Sequence, residues 1–211
     1  MNKYPPPHHQ EQNPENIIKV IQHYPLGTLV TAKDDEAHIT HIPLIYEADD
    51  SKYGKLVAHI DKFNPQVNHL INDSSATAVF HGPQTYISPS ILSTTQLPTW
   101  NYIIVHVKGK IHLLKDRDQV RETLIRMTSF LEGDNPAYVL AENNPRMEAA
   151  LDYIIGFEIE ITSWEGKFKF SQDKAKRDKA LAKAELIQSQ QNSVRAFIDD
   201  LFDHHHQIIT K

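Results

Sequence analysis

The chain has 211 residues, a formal net charge of −5, 40% hydrophobic and 23% charged residues, and no cysteine. That is enough for one domain with a real hydrophobic core plus an appendage. The acidic balance argues against a broad basic face for nucleic acid, and the lack of cysteine excludes disulfides, thiolate metal sites and thiol nucleophiles.

Seven glycines are present, and neither G-x-G-x-x-G nor G-x-x-x-x-G-K occurs. Phosphate must therefore be held by side chains and isolated backbone N–H groups. No apolar run reaches the ~18–20 residues that span a bilayer, and the start, MNKYPPPHHQEQ, has no apolar signal core. A cytoplasmic protein without a membrane partner is expected, in keeping with the missing cysteines.

Residues 1–12 read as an arm, because Pro5, Pro6 and Pro7 favour extended backbone. Asn13-Pro14 starts a short helix to about His23 that presents Ile17, Ile18 and Ile21. Gly27–Ala32, Ala37–Glu47 (bent at Pro43) and Lys55–Ile60 are β-branched and aromatic runs separated by polar turns, which predicts antiparallel hairpins. Pro65 opens a short helix to about Asn72. Ala76–Phe80 and Gln84–Ser88 are strands on either side of Gly82-Pro83, and Tyr102–Leu114 is the longest strand. Asp116 caps a helix whose Val120, Leu124, Met127 and Leu131 share a face. Pro145–Tyr153 is another helix, and Phe157, Ile159 and Ile161 alternate with Glu158 and Glu160 as in a half-buried strand. From Asp173 to about Phe202 one or two helices are expected, with Leu181, Ile187, Val194, Phe197 and Leu201 as apolar points. The fold class is mainly β with flanking α-helices. Six or seven antiparallel strands close most easily into a small barrel. The predicted organisation is an arm (1–12), a barrel domain (13–172) and a C-terminal helical extension (173–211).

Five polar-aromatic clusters sit at strand ends: Thr40–Pro43, His59–Pro65, Gly82–Pro89, Pro98–Tyr102 and Glu165–Gln172. Each pairs a turning residue with a donor, a base or a ring. A phosphorylated planar ligand needs that mixture. Their order and wording resemble the PaiB-like family of FMN-binding negative transcriptional regulators, over roughly Gly27 to Arg177. The strings that carry the resemblance are GPQTYISPS at Gly82–Ser90, PTWNY at Pro98–Tyr102 and EGKFKFSQ at Glu165–Gln172. The chain departs from the family pattern at three places. Lys62 stands where an arginine is usual, Ile91-Leu92 where Trp-Tyr is usual, and Asp173 where Asn is usual.

The resemblance implies a homodimeric, Greek-key-like split β-barrel related to pyridoxamine phosphate oxidases, with FMN at the dimer interface. By position it implies that Thr40, His41, Lys62 and Asn64 hold the phosphate, Lys62 foremost. Backbone at Ile42 and Pro43 flanks the ring. Trp100 and Asn101 cover it or reach across from a partner subunit, and Lys167, Lys169, Ser171 and Gln172 close the site or support the dimer. The family label is negative regulation, exerted directly or indirectly. Flavin-dependent oxidation of the flavin-reductase or pyridoxamine-phosphate-oxidase type is the alternative, and a haem-binding or cofactor-free interaction module is the third reading.

No basic stripe or helix-turn-helix supports a nucleic-acid partner, and Lys174–Lys179 reads as a solvated helix face. Thirteen histidines do not make a metal site. His38 and His41 point to opposite sides of a strand, and the consecutive His204, His205 and His206 fan out by about 100° each on a helix.

Overall fold

The computed structural model describes residues 4–33 and 35–191. These fall in two compact units. One comprises Met1–Gly82 with Ile103–Phe168, the other Pro83–Tyr102 with Lys169–Lys211.

The first unit is the barrel. Its strands are β1 (Gln10–Glu11), β2 (Leu26–Lys33), β3 (Glu36–Pro43), β4 (Ile45–Glu47) and β5 (Lys55–Asp61), with the larger parts of β6 (Ser75–Ile87), β7 (Thr99–Leu113) and β8 (Ile154–Lys169). The sheet order is β3-β2-β6-β7-β8-β5-β4, with β1 added on β8. The two end strands of this path, β3 and β4, are separated in the chain by Leu44 alone, which is fully buried. A sheet whose two ends are one bent segment must curl on itself, and that curl is the barrel closure. The stretch expected to be one strand bent at Pro43 is thus a corner between two pairings. Pro43 pairs with Leu26 at the last rung on β2, and Ile45 starts a new ladder opposite Val57. Proline brings no N–H to continue the first ladder, and the Leu44 N–H instead donates to the Pro25 carbonyl at 2.8 Å.

Alternation fills the interior. Leu29, Leu56, Ala58, Phe80, Val105, Val107, Phe157 and Ile159 form one buried cluster with Ile17 and Ile21. The last two come from helix α1 (Pro14–His23), whose start is capped by Asn13, the side-chain oxygen accepting from the Glu15 N–H at 3.0 Å. Each fully buried side chain of this size contributes about 1.5–3 kcal/mol. The arm expected over residues 1–12 is partly sheet. Gln10 pairs with Lys167 and Glu11 with Gly166.

Helix α2 (Arg117–Glu132) is capped by Asp116, as its sequence predicts. It buries Val120, Thr123 and Met127, and Met127 packs with Ile45 and Val57. The expected stripe is rotated by a fraction of a turn. Leu131 is exposed, and Thr123 takes an inward place by donating its hydroxyl to the Val120 carbonyl at 2.8 Å. Arg121 donates to Glu148 at 2.6 Å and ties α2 to helix α3 (Pro145–Ala150), while Arg126 reaches Glu47 on β4. The Arg121 guanidinium holds the Glu148 carboxyl below the usual glutamate range.

The second unit holds the ends of β6 and β7 and helix α4 (Lys176–Gln191). Gln84–Ser88, read as a separate strand, continues β6. The burial alternation changes phase around Pro83, where Gly82 and Thr85 are both buried. Asp178, in the first turn of α4, is completely buried. It accepts from the Ser93 N–H and hydroxyl, each at 2.6 Å, and from the Thr94 hydroxyl. These donors, Ser93 first, hold its carboxyl down at about 2. Ala182 and Leu186 are the buried apolar points of α4, and Ile187 is exposed. Val194, Phe197, Leu201 and His204–His206 lie outside the described residues.

Candidate cofactor site

The strand ends that the sequence singles out divide between the two units. In the first unit, β3 turns Thr40 and Ile42 to the half-buried side and His41 outward. The turn after β5 brings Asn64 to Thr40, with the Asn64 amide donating to the Thr40 hydroxyl at 3.0 Å. Asn64 also caps the short 3-10 helix Pro65–His69, its side-chain oxygen accepting from the Gln66 N–H at 2.9 Å. One amide thereby fixes both the turn and the hydroxyl of the neighbouring strand. His41, on the other face, places Nδ1 2.9 Å from the Thr28 hydroxyl.

Lys62 is turned differently. Its ammonium donates to the Asp152 carbonyl and lies 4.7 Å from the centre of the Tyr153 ring and 5.4 Å from that of Phe63. The neighbouring Asp61 carboxylate accepts the Phe63 N–H at 2.8 Å in a local turn. Lys167 pairs with the arm, donating to the Tyr4 hydroxyl at 2.7 Å.

In the second unit, Asn101 and Ser171 are both buried, and the Ser171 hydroxyl donates to the Asn101 side-chain oxygen at 3.1 Å. Ser171, two residues after β8, has φ 62°, a left-handed backbone. Gln172 accepts the Phe170 N–H at 2.7 Å, and Lys169 donates to the Thr99 hydroxyl. Trp100 is half exposed and pinned by its indole N–H, which donates to Gln84 at 3.2 Å. The Tyr86 ring stands 6.2 Å from it. Thus Thr40 joins Asn64, and Asn101 joins Ser171, while Lys62, Lys167 and Trp100 are held by residues outside the predicted set.

Three features were not legible in the sequence. Gln66 is buried and donates to the Leu29 carbonyl, the Thr31 hydroxyl and the His38 carbonyl at 2.9–3.2 Å. His38 and His69 stack with ring centres 3.6 Å apart. Burial of His59 lowers the pKa of its imidazole. All three depend on strands distant in sequence, and no spacing rule encodes them. Among the described residues, no group of three His, Cys, Asp or Glu is placed to hold a metal ion.

The donor chemistry at the end of β3 suits a phosphorylated planar ligand. A hydroxyl (Thr40) and an amide (Asn64) meet on the strand that continues into the apolar stretch Ile42-Pro43, while the Lys62 ammonium is turned to the Asp152 carbonyl.

Comparison with known proteins agrees. Residues 3–163 match the profile of the family described as "Putative FMN-binding domain". The chain is 31% identical over 191 residues to the Bacillus subtilis protein named Protease synthase and sporulation protein PAI 2, a match covering 90% of this chain and 91% of that one. Among solved structures, it resembles an FAD- and haem-binding protein from Mycobacterium smegmatis with a TM-score of 0.62, at 17% identity over 82% of this chain and 79% of the other. The flavocytochrome Anf3 from Azotobacter vinelandii gives a TM-score of 0.57, at 13% identity over 76% and 69%. At these identities the structural matches speak for the fold, a split barrel. The chain therefore belongs to the PaiB-like family of FMN-binding split-barrel proteins.

Proposed function

We propose that the chain works as a homodimeric, cytoplasmic, FMN-binding regulator of the PaiB type, repressing transcription directly or indirectly. The observation that carries this reading is the family match over residues 3–163. The paired donors Thr40 and Asn64 at a strand end within that span support it. FMN, when bound, supplies a redox-active ring. The chain supplies its positioning. The Thr40 hydroxyl and Asn64 amide are already oriented by each other and by the 3-10 helix, so little side-chain entropy is lost when they turn to a phosphate. Lys62 exchanges a carbonyl partner for a phosphate oxygen, a charge-assisted bond that is the stronger of the two. Backbone at Ile42 and Pro43 flanks the ring. Trp100, Asn101, Lys167, Ser171 and Gln172 contribute from one or other copy of a dimer.

The outer face of β2 and β3 supports dimerisation. Leu26 and Ile39 are 63% and 59% exposed. Val30 pairs with Ile39, and Leu26 with Pro43. These two apolar rungs, with the Thr28–His41 pair between them, lie on the outer face of the sheet, where a symmetric copy would cover them. With a net charge of −5 and no basic stripe, regulation through a protein partner or through flavin sensing is favoured over a broad DNA grip. The test is genetic. Deleting the gene should raise a defined set of transcripts. Wild-type protein should restore repression, and a Thr40→Val, Lys62→Ala double variant should not. Unchanged transcripts after deletion would remove the regulatory reading and leave the family assignment intact.

A further inference from the structure

A separate cavity of about 370 Å³ opens in the first unit where the N-terminal arm crosses β8. It is lined by Tyr4, Glu11, Tyr53, Trp164 and Glu165, among others. Tyr53 and Trp164 meet edge to face, 5.0 Å between centres and 72° between planes, and so form a fixed corner. Both pack on the buried core. Tyr4 is brought over this corner by the pairing of Gln10 with Lys167 and Glu11 with Gly166. Gly166 permits the crossing, since a Cβ there would meet Glu11 Cβ at 3.0 Å. Of the candidate cofactor residues, Lys167 touches a wall of the cavity, through Tyr4.

The charge at the site is organised. Glu11 is held by the Asn13 N–H at 2.8 Å and the Asn16 amide at 3.0 Å, so its charge stays in place. Glu165 is half exposed and lies 3.8 Å from His106 Nδ1. Two of the three rings already carry ammonium groups of the chain itself. Lys167 Nζ is 4.5 Å from the centre of Tyr4, and Lys52 Nζ is 4.7 Å from that of Tyr53.

We propose that this cavity binds an organic ammonium ion, a methylated or alkylated ammonium group. Aromatic faces attract such cations through their quadrupole, and the low hydration of an alkylated ammonium makes its desolvation cheap. Glu11 and Glu165 offset Lys52 and Lys167, and the incoming cation takes the ring faces that these two lysines now cover. The inference goes beyond flavin binding and does not depend on it.

Choline is a suitable probe, beside its uncharged isostere in which a tert-butyl group replaces trimethylammonium. Calorimetric titration of the full-length protein should show saturable choline binding, and the isostere should bind roughly 2- to 30-fold more weakly. Tyr4→Leu and Glu165→Gln change exposed side chains, so the fold should persist by circular dichroism. Each should weaken choline by roughly 2- to 30-fold. Equal binding of choline and the isostere, no saturable choline binding, or unchanged affinity in both variants would overturn the proposal.

Discussion

At the scale of single residues, the most consequential polar groups are buried ones whose partners lie far away in the chain. Asp178 is fully buried and meets three donors from Ser93 and Thr94. Its carboxyl titrates at about 2, against about 3.9 in an unfolded chain. A depressed folded pKa means that the unfolded state binds more protons in between. The stabilisation is therefore complete above pH ~4 and is lost as the pH falls towards about 2. Asp178→Asn should melt lower than wild type at neutral pH, and the gap should narrow as the pH is taken down through that window. A gap that does not change with pH would mean that the charge of Asp178 does not hold the start of α4. The same scale sets the limit of sequence reading. Thr40 and Asn64 stand out because each sits in a polar cluster at a strand end, whereas Gln66 lies in an ordinary P-Q-V-N-H stretch. Its bonds to Leu29, Thr31 and His38 exist only once β2 and β3 have paired.

At the scale of elements, period and punctuation made most strands and helix starts legible. Asn13 and Asp116 cap the helices they were expected to cap. The corner at Leu44 was not legible, because a proline bend inside one strand and a change of pairing partner look alike in one dimension. Nor was the continuity of β6 through Gly82-Pro83, where a turn signal marks a phase change inside a strand. The β7–β8 crossing gives a sharp test. A Cβ at Gly109 would collide with the Glu160 carbonyl oxygen and the Ile159 side chain. Backbone cannot yield as a flexible side chain does, so Gly109→Ala should cost about 1–3 kcal/mol in urea unfolding, typical of overpacking, or more. A change below a few tenths would show that the two strands are not so closely apposed.

At the scale of the whole molecule, family, fold and cofactor belong together. The family and the split barrel are shown by the sequence and structural matches. They were legible beforehand because three uncommon strings recur in order. The dimer is a proposal with its own test. Ile39→Glu places a charge on the exposed apolar pair that Ile39 makes with Val30 and should give a monomer by light scattering at micromolar concentration, where wild type should be a dimer. A monomeric wild type would remove the shared-site arrangement.

The most direct test of the central claim is to titrate the cofactor-stripped protein with FMN, following flavin fluorescence and melting temperature together. Wild type should bind saturably at about micromolar affinity or tighter. At a 100-fold excess over Kd the folded state then gains about 2.7 kcal/mol, seen as a raised melting point. Thr40→Val with Asn64→Ala removes the paired donors at the end of β3 and should lose most of that affinity while the barrel stays folded. Absence of binding by wild type, or a double variant that binds as tightly as wild type, would contradict the account.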